Sequence, residues 1–101
     1  MRVIIETDSY NEKRYSKPYI ALIDPSTGEV DRWGVWIGEA GEAGFLEIDV
    51  PVNSVIMLGQ KDYRNPKKGK PDYGIVQEDG TVNYYTKAEA IKTARKESNN
   101  E

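Results

Sequence analysis

The sequence predicts an α+β domain, mostly an antiparallel β-sheet that is curled or forms a small open barrel, with one C-terminal α-helix. Short alternating or β-branched runs recur along the chain with turn signals between them. Asp79-Gly80 sits between two such runs, one of the strongest short hairpin signals. Thr86-Lys87-Ala88-Glu89 has the form of a capping box, in which the threonine accepts from a first-turn amide and the glutamate reaches back to the cap. A single short helix covers little of a large flat sheet, which favours a curl over a sandwich.

Val3–Thr7 is β-branched and apolar on both faces, so a central strand is expected there, with Val3 and Ile5 on one side and Ile4 on the other. Pro18 opens a second strand, Tyr19–Ile23, a position where proline is tolerated. Asp24-Pro25-Ser26-Thr27-Gly28-Glu29 is a turn by composition. Val30–Ile37 returns as one strand in which Trp33, Val35 and Ile37 form the more apolar set and are expected to face the core. Residues 38–44 hold three glycines and read as a loop.

Phe45–Val50 alternates cleanly, Leu46, Ile48 and Val50 against Phe45, Glu47 and Asp49. Val55–Leu58, Tyr73–Gln77 and Thr81–Tyr85 complete the strands, and residues 61–72 form a long polar loop. In the helix, Ala88, Ile91 and Ala94–Arg95 give a stripe at helical spacing, with alanines small enough for close approach to a sheet. Residues 1–97 are expected to form one β-rich domain, with 98–101 a frayed polar tail.

The chain contains no histidine and no cysteine. Imidazole and thiolate metal sites, Ser-His and Cys-His nucleophiles, redox dithiols and disulfides are thereby excluded. No serine lies in a G-x-S-x-G elbow and no phosphate-binding P-loop is present. An enzyme is therefore not expected, and no cofactor is called for. There is no apolar run long enough for a secretory signal or a membrane span. A soluble protein acting in the cytoplasm is expected. With 38% hydrophobic residues the core is thin, and a thin core with open sheet edges favours homo-oligomers.

Net charge is only −3, but it is segregated. Residues 24–49 hold seven acids against Arg32, whereas 61–72 hold five bases against two acids. Two segments interleave cations with phenol rings: 10–19, with Arg14 and Tyr15, and 61–73, with Lys61, Tyr63, Arg64 and Lys67. Guanidinium and ammonium groups hold phosphate and rings stack on bases, so these six residues are the candidate site for a nucleotide ligand. Ordinary packing and solubility are the alternative uses. A sequence pI near 5.0 disfavours a general nucleic-acid binder.

Trp33 and Trp36 fall on opposite faces of a regular strand, so one of them points outward as a candidate interface anchor, open to burial by the helix or a second subunit. Trp33, Glu39 and Glu42 are the candidate partner-binding residues. The acidic stretch could present carboxylates to a nucleic-acid-binding protein, or could simply be the wet face of a hairpin.

Three stretches carry a resemblance: Val3-Ile4-Ile5-Glu6-Thr7 followed by Tyr10-Asn11, then Arg14-Tyr15-Ser16-Lys17-Pro18-Tyr19-Ile20-Ala21, then Gly59-Gln60-Lys61-Asp62-Tyr63-Arg64-Asn65-Pro66. Together they resemble small, largely uncharacterised proteins encoded by phages and conjugative elements of Gram-positive bacteria. The resemblance implies no catalytic residues. It does imply a role against host immunity, directed at CRISPR effectors or nucleotide-signalling systems. A non-enzymatic anti-defence inhibitor that contacts a host defence protein is the leading expectation. A sponge for a nucleotide immune signal and a nucleic-acid accessory protein are the alternatives.

Overall fold

The structure, a computed structural model, describes residues 1–9, 17–60 and 71–98. Its elements in order are β1 (Arg2–Thr7), β2 (Tyr19–Ile23), β3 (Val30–Trp33), β4 (Val35–Ile37), β5 (Gly44–Asp49), β6 (Val55–Gly59), β7 (Asp72–Val76), β8 (Val82–Tyr85) and α1 (Lys87–Ser98). The α+β class, the antiparallel pairing and the C-terminal helix match the sequence expectation. The strands are divided between two sheets, ordered β1-β5-β4 and β3-β2-β6-β7-β8, and no closed barrel forms among the described residues.

The larger sheet is the middle layer. Ile20, Ile56 and Val76 point from it toward Val3, Leu46, Ile48 and Val50 of the smaller sheet side, making one buried cluster. From its opposite face Ile23, Val55 and Ile75 meet Ala90 and Ala94 of α1 in a second cluster. Two thin cores therefore share one sheet, and the second sheet covers the face that a lone helix could not.

The segment Val30–Ile37 is not one strand. It breaks at Gly34, so β3 belongs to the larger sheet and β4 to the smaller. Gly34 sits where the two sheets almost touch. A Cβ there would lie 2.5 Å from the Glu47 carbonyl oxygen and 2.5 Å from Ile20 Cγ2, and the Gly34 amide donates to the Ile20 carbonyl at 2.8 Å. Only glycine lets the chain turn that corner, and the curl expected of a single sheet takes this local form.

The corner inverts the expected faces. Trp33, Val35 and Ile37 are exposed, and Trp36 is the half-buried member that packs on the core. Val35 and Ile37 share the outer face of the small sheet with exposed Phe45, a face that nothing among the described residues covers, whereas Trp33 stands in β3 at the edge of the larger sheet. β1 is likewise an edge strand rather than a central one: it pairs only with β5, and Ile4 is exposed.

The turns are as their residues dictate. The Asp24 carboxylate accepts from the Ser26 amide at 2.8 Å and the Ser26 hydroxyl at 2.7 Å. Asp79 makes the same pair of bonds to Thr81, and Gly80 takes the left-handed φ of 85° that the tight turn needs. The capping box forms as read, with Glu89 N–H donating to Thr86 Oγ1 at 3.2 Å and Thr86 N–H to Glu89 Oε2 at 3.4 Å. The helix extends to Ser98, one residue past the expected domain end. It buries Ala90 and Ala94, half-buries Ile91 and leaves Ala88 exposed, so the stripe is rotated from the expected one. Arg95 reaches the first hairpin turn, donating to the Pro25 carbonyl at 2.6 Å and the Ser26 carbonyl at 2.9 Å.

Candidate functional site

The helix covers only part of its sheet face. Cross-strand pairing defines one row, Val30–Ile23–Val55–Ile75–Asn83, of which Ile23, Val55 and Ile75 lie against α1. The next row is Trp33–Ala21–Met57–Tyr73–Tyr85, and it also crosses all five strands. Ala21 is fully buried between its larger neighbours, while Trp33 is 59% exposed and Tyr85 is exposed at the other end. Tyr19, on the same face of β2 two residues before Ala21, meets the Trp33 ring edge-on at a centroid distance of 6.1 Å. Lys87, in the first turn of α1, places its ammonium 5.7 Å from the Tyr73 ring centroid.

The result is an aromatic strip running across the sheet beside the helix, its middle residues Met57 and Tyr73 half-buried against the helix-side cluster and the Lys87 ammonium over Tyr73. Burial pushes the Tyr19 phenol above its ordinary pKa, and neighbouring Tyr73 and Asp72 push it the same way. The ring therefore stays neutral across the physiological range and offers an O–H donor and an apolar face together.

Trp36 defines the adjoining part of the molecule. Its indole N–H donates to Thr7 Oγ1 at 2.9 Å, and the Lys17 ammonium lies 5.5 Å from its ring centroid. Gly38 and Gly44 pack against this indole so closely that a Cβ on either would come within 2.8 Å of it. The turn bearing Glu39 and Glu42 follows, closed by the Glu42 amide donating to the Glu39 carbonyl at 3.0 Å, and both residues are exposed.

Trp33, expected to face the core and also a partner-binding candidate, is the more exposed of the two tryptophans. It is separated from Glu39 and Glu42 by the whole of β4 and belongs to the other sheet, so the three do not form one compact cluster. The seven carboxylates of 24–49 are scattered as well. Asp24 and Asp31 line a cleft of about 570 Å³ with Pro51, Ser54 and Ala94, whereas Glu47 binds Arg2 at 2.5 Å on the outer face of the small sheet and Asp49 binds the Met1 ammonium at 3.0 Å. A continuous acidic surface is not made from this segment.

Arg14, Tyr15, Lys61, Tyr63, Arg64 and Lys67 lie outside the described residues. The described strand ends that flank their segments are neighbours: Tyr19 pairs with Gly59, and Leu58 with Asp72. Gln60 Nε2 is buried at this end without a partner among the described residues. The row itself was missed in the sequence because Met57, Tyr73 and Tyr85 become neighbours only through strand register. The alternation of each strand was visible, but its pairing was not.

No metal-ligating cluster of three or more acids is present among the described residues, and no described helix is long and apolar enough to cross a membrane. No protein-family model, curated protein or solved structure matches the chain.

Proposed function

We propose that this chain is a non-enzymatic binding protein, an anti-defence inhibitor of a mobile element that acts in the host cytoplasm by contact with a host defence protein such as a CRISPR effector. The observation that carries the reading is the aromatic row, which is exposed at its two ends, Trp33 and Tyr85, and half-buried at Met57 and Tyr73 between them. Tryptophan and tyrosine dominate binding hot spots because they bury large rigid surfaces at small entropic cost, and here they span five strands of a scaffold that holds them in place. Trp33 is the anchor and Tyr19, Tyr73 and Tyr85 extend its surface. Glu39 and Glu42, on the turn after β4 of the other sheet, supply a second, charged contact apart from the row.

The test counts plaques of a targeted phage on a host with an active CRISPR nuclease, with and without this protein. Wild type raises the count. Trp33→Ala removes at least about tenfold of that gain, the scale of one lost hot spot, while its melting temperature stays near that of wild type because Trp33 is already exposed. A Trp33→Ala protein that protects the phage as well as wild type overturns the role of the row.

The adjoining strand ends support a second reading, a sponge that sequesters a nucleotide immune signal. Arg14, Lys61, Arg64 and Lys67 would hold phosphate, with Tyr15 or Tyr63 stacking on a base at roughly 1–3 kcal/mol per base. Native mass spectrometry of protein purified from phage-infected cells decides it. A retained nucleotide-sized mass that Arg64→Ala removes favours the sponge, and a ligand-free protein favours the inhibitor. Self-association belongs to either reading.

A further inference from the structure

We infer that the open edge of β1 is a two-fold dimer interface that joins the small sheets of two copies of this chain into one six-stranded sheet. The proposal deepens the self-association expected above and is independent of the aromatic row and of whatever the row binds.

The direction of the backbone groups comes first. Met1 and Val50 exchange two hydrogen bonds, the Met1 amine donating to the Val50 carbonyl and the Val50 amide to the Met1 carbonyl, each at 2.8 Å. In an antiparallel pair these bonds alternate along the strand, so Met1, Val3, Ile5 and Thr7 turn their backbone groups toward β5. Arg2, Ile4 and Glu6 turn theirs away, and β1 is the last strand of its sheet. The Gly80 turn flanks this edge at its first residue, where a Cβ would stand 3.9 Å from the Arg2 carbonyl oxygen. Beyond it the strand has neither proline, nor lysine, nor a bulge, the usual devices that keep an edge from pairing.

The sequence of this edge is complementary to itself. Side chains at positions 2, 4 and 6 share the outer face, and they read cation, apolar, anion. A second β1 laid antiparallel about a two-fold axis at Ile4 sets Arg2 opposite Glu6, Ile4 opposite Ile4 and Glu6 opposite Arg2. The Ile4 amides and carbonyls, clear of the Gly80 turn, then meet across the axis as a hydrogen-bonded pair. Val3 and Ile5 remain on the inner face over both cores. A one-residue slip would turn the apolar inner set outward, so the axis position is specified. Glu6 has no ion partner among the described residues, and this arrangement brings it beside the partner copy's Arg2, which also holds Glu47 of its own chain at 2.5 Å. Exposed Ile4, 51% open in the single chain, is covered by its own copy. Such a contact is isologous and closed, which stops growth at two.

The test is the mass of the full-length chain by light scattering after size exclusion, over a range of concentrations. Wild type is expected at twice the 11.4 kDa chain mass. Ile4→Lys, which sets two like charges across the axis without touching the core, is expected to weaken association about tenfold or more. Charge reversal tests the register itself. Glu6→Arg alone and Arg2→Glu alone each set like charges opposite one another and become monomeric, whereas an equimolar mixture of the two restores a dimer of mixed mass. A wild type that is monomeric at all concentrations overturns the proposal. So does a dimer that survives Ile4→Lys, or a mixture that stays monomeric. Should Ile4→Lys fail to fold, the mixing experiment decides alone.

Discussion

Asp24 and Asp79 do the same work at two turns. Each carboxylate accepts a backbone amide and a hydroxyl two residues on, from Ser26 and from Thr81 respectively. Those bonds favour the charged form and hold both groups below the ordinary carboxylate range. A depressed folded pKa means that the folded state releases its proton more readily than the unfolded one. The stabilisation is therefore present above the unfolded carboxylate range and is lost as pH falls through the folded pKa. Thermal melts between about pH 6 and pH 2.5, the span over which carboxylates titrate, should show the melting temperature falling in acid. In Asp24→Asn/Asp79→Asn the fall should be smaller, from a lower start at neutral pH. An equal fall in both proteins would remove these two groups from the account.

At the scale of elements, α1 depends on its start and on one narrow contact line. Replacing Thr86 by alanine removes the acceptor for the Glu89 amide and should cost about 1 kcal/mol in urea unfolding, as N-cap losses do. No loss would mean that Arg95 and the alanine seam alone fix the helix. The cap and both Asp-led hairpins were legible in the sequence because each is a local signal with its own mechanism. The faces of Val30–Ile37 were not. Alternation assumes one strand in one sheet, and Gly34 moves the chain to another, so the apolar residues after it look outward. Edge position was equally hidden, since Val3-Ile4-Ile5 reads as central when the openness of its neighbour is unknown. The aromatic row illustrates the same limit: Trp33, Met57, Tyr73 and Tyr85 are ordinary strand residues until register aligns them.

The whole molecule is two thin cores bound together by shared elements. The larger sheet serves both, and the Val30–Ile37 segment runs through both sheets, so neither half keeps its burial if the other opens. Gly34→Ala tests that union. The added methyl would meet the Glu47 carbonyl and Ile20 together, one backbone and one core side chain, and should cost about 1–3 kcal/mol or more as overpacking does. Unfolding followed by tryptophan fluorescence and by far-ultraviolet dichroism should still give coincident transitions, shifted together to lower denaturant. Two separated transitions would show that the sheets unfold independently.

The pairing of β1 with β5 also has a consequence in time. Ile5 waits for Leu46, which follows it 41 residues later in the chain. At roughly 5–20 residues per second of synthesis, β1 leaves the ribosome some seconds before its partner strand exists. During that interval both of its edges are open, and neighbouring ribosomes on one message hold identical copies of it. Charged Arg2 and Glu6 at its two ends are then what limits how these nascent strands meet.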